Sequence, residues 1–472
     1  MAEMSRRNFL GMGAAMGAAA TMGASAAMAA PEEVAPLVVN VDTDDADMYR
    51  FHTSVDTINE IRREQIDACT DYTCSDGTVI PAIWVKCRML VDGLGAGIGA
   101  KNYTGPESFE LFKWLTYSDE VLAEFYVNCP IGKDFTALDA AIANDCTEAE
   151  ANEKCMKLSW TGAFFHARRG GLDYYHHQRM YHGITESSIN LYKDGDKDSG
   201  FMTDFGASLQ QYELTPFPCY YPMPVGIEVM SEGSKILPYD DIEALIDRHE
   251  TIAVTACQCR YIANMMGDTI EELPNPCDLD AVKDYVCADG HHLEKCFTFG
   301  EEAEFYIEQG FGRQLTQEEA HELMRRQIVD EGCIPQSCYT KYTEVICSCD
   351  KGCTNMPGYI ALGTDSVNYP NQSHYNLEVD KDLCIGCGAC AERCMAGAVE
   401  IIDGKAEVTG YCFRCGQCGL VCPVDARKLV NKPDEEIPDM PDDLIDWINK
   451  DTMYRYEKGE WPYPSSRFYA IG

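Results

Sequence analysis

The chain has 472 residues, 46% hydrophobic and 24% charged, which suits two to four globular domains and excludes a disordered chain. Its formal net charge of −39 at pH 7 opposes contact with nucleic acid phosphates and anionic lipid headgroups. Such a surface suits a basic protein partner met by electrostatic steering, although acidity also serves solubility alone.

In chain order, residues 1–30 read as a targeting segment. Ser5-Arg6-Arg7-Asn8-Phe9-Leu10 resembles the twin-arginine export motif. A Gly/Ala/Met stretch follows from Gly11 to about Ala30, so poor in Leu, Ile, Val and Phe that it would span a membrane badly. Small residues at Ala27 and Ala29 suit cleavage near Ala29–Ala30. The expectation is export by the twin-arginine pathway to the periplasm or cell envelope, with any hold on the outer face of the cytoplasmic membrane made through a partner. That pathway carries folded proteins, which suits cofactors assembled in the cytoplasm. The bland alternative is a disordered basic N-terminus.

Residues 31–105 form an N-terminal segment. Cys69-x4-Cys74 is a plausible disulfide in an exported chain, while Cys87, Cys129, Cys146, Cys155 and Cys219 have no metal-site rhythm. The run from Asp92 to Ala100 contains G-x-G-x-x-A, a weak dinucleotide signal without a βαβ unit around it. Residues 106–190 read as a helical unit with a wing. Phe109–Trp114, Val121–Tyr126 and Asp134–Ala143 have helical period, and Thr147-Glu148-Ala149-Glu150 opens another helix. Ala163–Ala167 and Leu172–Tyr175 read as strands around Arg168-Arg169-Gly170-Gly171. The order resembles a winged helix. Export and acidity argue against DNA, so the unit reads as a docking or packing module. A connecting region covers 191–250.

Residues 251–356 form a Cys-rich iron–sulfur region. Cys257-Gln258-Cys259-Arg260 follows an apolar run from Thr251 to Val254. Cys277, Cys287 and Cys296 come next, then Cys333, Cys338 and Cys347-Ser348-Cys349-x3-Cys353. A disulfide between residues i and i+2 is strained, so the C-x-C pairs favour metal. Three readings stay open: one or two further Fe–S clusters, disulfides of an oxidising compartment, or zinc. The candidate ligands are Cys257, Cys259, Cys296 and one or more of Cys347, Cys349 and Cys353, with Arg260 offsetting thiolate charge. His291 and His292 lie close by and offer nitrogen ligands, but adjacent His in a polar loop read more simply as solvent-exposed. Cys296-Phe297-Thr298-Phe299-Gly300 and the stretch Ala303-Glu304-Phe305-Tyr306-Ile307-Glu308-Gln309-Gly310-Phe311-Gly312-Arg313 resemble a group of anaerobe proteins. Those proteins join a C-x-C-R segment to a C-terminal dicluster ferredoxin. The resemblance runs from about Ile236 to Leu429; it implies an iron–sulfur protein of an anaerobe and brings no reaction with it. Thr316-Gln317-Glu318-Glu319 opens a helix with Thr316 as the N-cap of a capping box.

Residues 374–431 carry the most specific pattern. Cys384, Cys387, Cys390 and Cys394 read C-x2-C-x2-C-x3-C, and the spacing returns at Cys412, Cys415, Cys418 and Cys422, before Pro423. Three thiolates on a tight loop can grip three corners of an iron cube, and the double spacing favours iron over zinc. This is the signature of bacterial two-cluster ferredoxins. The resemblance implies that Cys384, Cys387, Cys390 and Cys422 hold one [4Fe–4S] cluster, and that Cys412, Cys415, Cys418 and Cys394 hold the other. Gly386, Gly388 and Gly416 would let the backbone approach the clusters. Met395 stands where the family has Pro. Val399–Ile402 and Lys405–Val408 flank Asp403-Gly404, a hairpin with a type I′ turn.

Residues 432–472 form an acidic, aromatic-bearing tail that reads as wrapping the body. His321-Glu322-Leu323-Met324-Arg325 lacks the second His of a metalloprotease helix, and neither a P-loop nor a c-type haem motif occurs. The fold class is therefore α+β and multidomain: a winged-helix-like unit, a Cys-rich middle and a C-terminal 2[4Fe–4S] ferredoxin-like domain. The function read from it is an electron-transfer protein or oxidoreductase subunit rather than a self-sufficient enzyme. It relays electrons through two [4Fe–4S] clusters, with one additional [4Fe–4S] as a further expectation, to or from a partner redox enzyme. One rival is a self-contained reductase; reductive dehalogenases share the layout, but their corrinoid-binding half has no match here. The other rival is a redox-sensing winged-helix regulator.

Overall fold

The computed structural model describes residues 56–94, 106–179, 183–187, 220–266, 271–350, 373–437 and 440–457. The chain divides into two units, 1–37 and 38–472, and every described residue lies in the second. The export segment, most of the Gly-rich run, Cys219 and Cys353 lie outside the described residues. Among the described residues no helix is long and apolar enough to cross a membrane.

The N-terminal part opens with α1 (Asp56–Asp67), a short hairpin of β1 (Tyr72–Thr73) and β2 (Val79–Ile80), and α2 (Ala82–Asp92). The expected Cys69–Cys74 bridge is not formed; the Cys69 thiol instead donates to the Gln65 carbonyl at 3.4 Å. The reason is local: Cys69 sits just past the end of α1, within reach of the carbonyl four residues back. Next come α3 (Glu110–Leu115), α4 (Glu120–Asn128), β3 (Phe135–Thr136), α5 (Ala137–Asn144), α6 (Glu148–Thr161), β4 (Phe164–Arg169) and β5 (Leu172–His177). The sheet order is β3-β5-β4.

Two details differ from the sequence reading. The stretch Asp134–Ala143 is not one helix, because Thr136 caps α5 in a capping box with Asp139 and leaves Phe135–Thr136 extended against Tyr174 and Tyr175. Arg168 and Arg169 belong to β4, opposite Asp173 and Leu172, so Gly170 and Gly171, both at positive φ, make the turn alone. Thr147 caps α6 with Glu150, as its sequence suggests.

The middle region is built on a six-stranded sheet of order β6-β10-β11-β8-β7-β9. Its strands are β6 (Tyr220–Pro222), β7 (Ile252–Ala256), β8 (Glu294–Phe299), β9 (Arg313–Leu315), β10 (Ile334–Cys338) and β11 (Val345–Cys349), all paired antiparallel. Phe297, Phe299, Val254, Ile252 and Ile346 are buried in its core. Helix α7 (Ile242–Arg248) precedes the sheet strand β7, and α8 (Gln258–Met266) and α9 (Leu279–Asp284) follow it. Helix α10 (Gly300–Gln309) packs on β7 and β8. Thr316 caps α11 (Gln317–Arg325), which continues into a π turn at Arg326–Asp330 before β10.

The C-terminal unit pairs β12 (Tyr375–Val379) with β15 (Arg427–Asn431), the first strand with the last. Between them lie α12 (Ala389–Arg393), the hairpin β13 (Val399–Ile402) and β14 (Lys405–Val408), and α13 (Gln417–Leu420). Asp403 and Gly404 both have positive φ, at 52° and 77°, as a type I′ turn requires. The tail forms α14 (Leu444–Glu457), which buries Trp447 against the Arg179 guanidinium, 4.1 Å from the ring centre. Arg62 of α1, fully buried, donates to Asn449 Oδ1 at 2.7 Å and Thr452 Oγ1 at 3.0 Å, so the tail is clamped to the start of the fold.

Candidate functional site

In the C-terminal unit the first Cys loop runs from β12 into α12. Gly386 and Gly388 have φ of 66° and 84°, and an added Cβ at Gly386 would overlap the Gly404 carbonyl. That close approach lets the hairpin cover the loop: the Ala406 N–H donates to Cys384 Sγ at 3.5 Å. This N–H and that of Gly386 hold the Cys384 thiol below its ordinary pKa, helped by the Lys405 charge. Lys405 Nζ donates to the Cys384 and Lys381 carbonyls, each at 2.7 Å. Cys384, Cys387, Cys390 and Cys422 line one small pocket, with Ala406 and Arg427. Its donors are four sulfurs with backbone N–H groups aimed at them, which fits a cubane cluster.

Cys394, Cys412, Cys415 and Cys418 form the second set. Cys394 acts electrostatically on Cys412, Cys415 and Cys418. Burial raises all three of those thiols, Cys418 to about 11. Gly416, at φ 89°, packs so closely on Val229 that a side chain would collide. Arg427, 1% exposed, lies between the two sets: Nη1 is 3.8 Å from Cys390 Sγ, and its guanidinium also pairs with Cys418. A buried cation between two thiolate sets offsets their negative charge. The cysteine spacing does not announce Arg427, although its place five residues after Cys422 puts it at the start of the closing strand.

In the middle region, strand register does what the sequence does not show. Cys296 lies opposite Cys347 on one side and Thr255 on the other, two residues before Cys257. Cys347 and Cys349 share a face by strand alternation. The Cys296 and Cys347 sulfurs are 3.2 Å apart, Cys257 hydrogen-bonds to Cys259, and Cys259 and Cys349 both act on Cys347. Cys257, Cys259, Cys296, Cys347 and Cys349 therefore come together from two strands, β8 and β11, the residue that follows β7, and the start of α8. The contacts with their neighbouring thiols, and burial, push Cys257 and Cys347 well above the ordinary thiol range. Tetrathiolate binding of an Fe–S cluster or of zinc fits these donors, and a Cys296–Cys347 bridge would leave only Cys257, Cys259 and Cys349, one thiol short of four. Cys277 and Cys287 pack with Leu273 and Val282 in the same apolar cluster as Cys257 and Cys259.

Beside this set is a buried polar network. Asp350, with a 2% exposed side chain, accepts from Arg260 Nη2 at 2.8 Å and meets His291 Nδ1 at 2.9 Å and Lys295 Nζ at 3.4 Å. Burial pushes the Asp350 carboxyl up, but His291, Lys295 and Arg260 outweigh it and hold it well below the carboxylate range. Lys295 also pairs with Glu331 and lies 3.0 Å from Cys333 Sγ. His292 meets Glu331 at 2.7 Å, so the two adjacent His are not solvent-exposed as the polar loop implies; each is fixed by a carboxylate. His291, Cys333 and Asp350 offer ligand atoms within 4.8 Å of one another. The Lys295 and Arg260 cations already neutralise that corner, which disfavours a divalent ion there.

Comparison with known proteins bears on the ferredoxin unit. Residues 377–400 match the 4Fe-4S binding domain family. A ferredoxin of Pyrobaculum islandicum is 32% identical over 92 residues, 19% of this chain and 77% of that protein. Pyruvate synthase subunit PorD of Methanothermobacter marburgensis is 42% identical over 52 residues, 11% of this chain and 60% of that protein. One component of the ion-translocating oxidoreductase complex of Methanosarcina acetivorans is 40% identical over 47 residues, 10% of this chain and 18% of that protein. The chain spans less than a fifth of the larger curated relatives it matches, at 12% and 18% of their length. No solved structure matches the chain.

Proposed function

Because the chain belongs to the ferredoxin family through its C-terminal unit, we infer that it is an exported electron carrier serving a partner redox enzyme. The observation that carries this reading is the pair of four-thiol sets bridged by Arg427, each completed by a cysteine from the other half of the repeat. Cys384, Cys387, Cys390 and Cys422 hold one [4Fe–4S] cluster, Cys412, Cys415, Cys418 and Cys394 the other. Cys257, Cys259, Cys296 and Cys347, with Cys349 and Cys353 as alternates, hold a third. The clusters supply one-electron chemistry. The chain's own residues bury the thiols, aim N–H groups at Cys384 and place the Arg427 charge where reduction adds negative charge.

Export rests on the twin-arginine motif and the small-residue site, and the folded cofactors give it a reason. Relatives named as parts of oxidoreductases support a partner enzyme in general. The acidic surface suits a basic partner and disfavours nucleic acid. On that ground the winged-helix-like unit at 106–190 serves docking or packing. A self-contained reductase is the second reading, favoured by the extra thiol set on the middle sheet. The absorption spectrum of the anoxically purified full chain decides between them. Iron–sulfur bands alone support the carrier; flavin, haem or corrinoid bands support the reductase.

A further inference from the structure

Resting on the reading of a third centre in the middle region, we propose that the relay has a fixed polarity. The Cys384/Cys387/Cys390/Cys422 set is the outward port. The Cys412/Cys415/Cys418/Cys394 set is wired inward, through Gln417 and Cys333, to the Cys257/Cys259/Cys296/Cys347 set.

The two ferredoxin loops are alike in sequence and differ in surroundings. The hydrogen bonds to Cys384 come from within its own unit, from Ala406 and Lys405. Cys387 is exposed, and its neighbour Ile385 is 63% exposed. A one-electron partner can therefore approach this loop without rearrangement. The second loop is covered. The Val225 N–H donates to the Cys415 carbonyl at 2.9 Å, and Gly416 abuts Val229.

Two side chains adjoining ligands of the second set grip the middle region. Gln417, 2% exposed and next to Cys418, donates through Nε2 to the carbonyls of Cys333 at 2.6 Å and Ile328 at 3.0 Å. Its Oε1 accepts from Arg393 Nε at 2.8 Å, and Arg393 is next to Cys394. Arg393 Nη2 donates to the carbonyls of Ile328 and Val329, in the π turn that ends α11. A helix end leaves such carbonyls without partners, and here the ferredoxin unit supplies them.

Cys333 in turn leads into β10, where Ile334 lies opposite Cys349 and Gln336 opposite Cys347. The route from Cys418 thus runs through its peptide bond to Gln417, the Gln417 side chain and its short hydrogen bond to the Cys333 carbonyl, and then along β10 to Gln336, which pairs with Cys347. Tunnelling falls off steeply with distance and favours bonded paths, so this contact outcompetes routes through the exposed loop. Lys295, buried 3.0 Å from Cys333 Sγ, places a cation beside the path, where it stabilises added negative charge. Each passage moves one electron, lost on one side and gained on the other, with no bond made or broken. The external reductant or oxidant is a one-electron protein partner.

The test uses the anoxically purified full chain, with iron counts and EPR relaxation of the reduced protein. The third centre is expected to couple magnetically to the second set. That coupling survives Cys387→Ser and is lost in Cys418→Ser. Gln417→Ala keeps every thiol and is expected to retain the iron count while losing the fast equilibration between centres after photoreduction. If a Cys variant sheds its iron altogether, Gln417→Ala decides. Coupling lost in Cys387→Ser but kept in Cys418→Ser overturns the polarity, as does Gln417→Ala equilibrating as fast as the unaltered chain. An iron count of about eight rather than about twelve overturns the third centre itself, a failure distinct from wrong polarity.

Discussion

Replacing Asp350 by Asn probes the buried polar network beside the middle thiols. The substitution keeps the side-chain shape and removes the charge that Arg260, His291 and Lys295 face. A unit charge pair at about 4 Å is worth about 4 kcal/mol at an effective dielectric of 20. Compensation reduces the loss, because Arg260 keeps Asp289 at 2.6 Å and Lys295 keeps Glu331. The expected cost is about 3 kcal/mol, the lower end for breaking a buried pair from one side. Native-state hydrogen exchange of the β10 and β11 amides reads it as roughly 100-fold faster local opening. Adding Lys295→Met removes the stranded cation and should recover part of the loss, giving a coupling of about 1 kcal/mol or more. A loss below about 1 kcal/mol, or fivefold in exchange, would refute the claim that these charges are desolvated.

His166 donates to Glu308 at 2.7 Å and Asp173 at 2.9 Å, tying the β4–β5 hairpin to α10. Burial favours its neutral ring, but the two carboxylates outweigh that and raise its pKa. The sign follows: this contribution is complete below the unfolded value of about 6.5 and fades as pH rises through the higher folded value. After correction for the intrinsic base-catalysed rate, the opening equilibrium of the hairpin amides should therefore grow from pH 6 to pH 9, and a His166→Gln variant should lack that step. Gly386→Ala should reduce iron in the first set, since its Cβ meets the Gly404 carbonyl, whereas Gly397→Ala, with open space around it, should cost only the left-handed strain of about 1–2 kcal/mol. Equal iron content in both variants would sink the close-approach argument. Arg62→Met removes the donors to Asn449, Thr452 and the Ile448 carbonyl, and should loosen α14 by about 3 kcal/mol, seen as faster protease cleavage near residue 440.

The parts legible in the sequence are those set by local geometry. The eight C-terminal cysteines announce themselves because a cube's corners demand fixed short spacings. The Asp403-Gly404 turn and the caps at Thr147 and Thr316 follow from local hydrogen bonding in the same way. The gathering of Cys257 and Cys259 with Cys296 and Cys347 depends on strand register across about ninety residues, which no spacing encodes; the C-x-C pair only marks that metal is favoured. Long-range charge was hidden likewise. The polar loop at His291-His292 gives no sign that Asp350 and Glu331 wait on other strands and turns, and Arg427 gains its role only when β15 folds back on both loops. β3 is two residues long, too short to interrupt a helical period by pattern alone.

The central claim, that the chain's cysteines hold iron, is tested most directly by counting iron and acid-labile sulfide per chain in protein purified without oxygen. About eight irons with matching sulfide is the least the account allows, and about twelve is the value with the middle centre filled. Zinc in the C-terminal sites, or those eight thiols joined as disulfides in the same preparation, would contradict it.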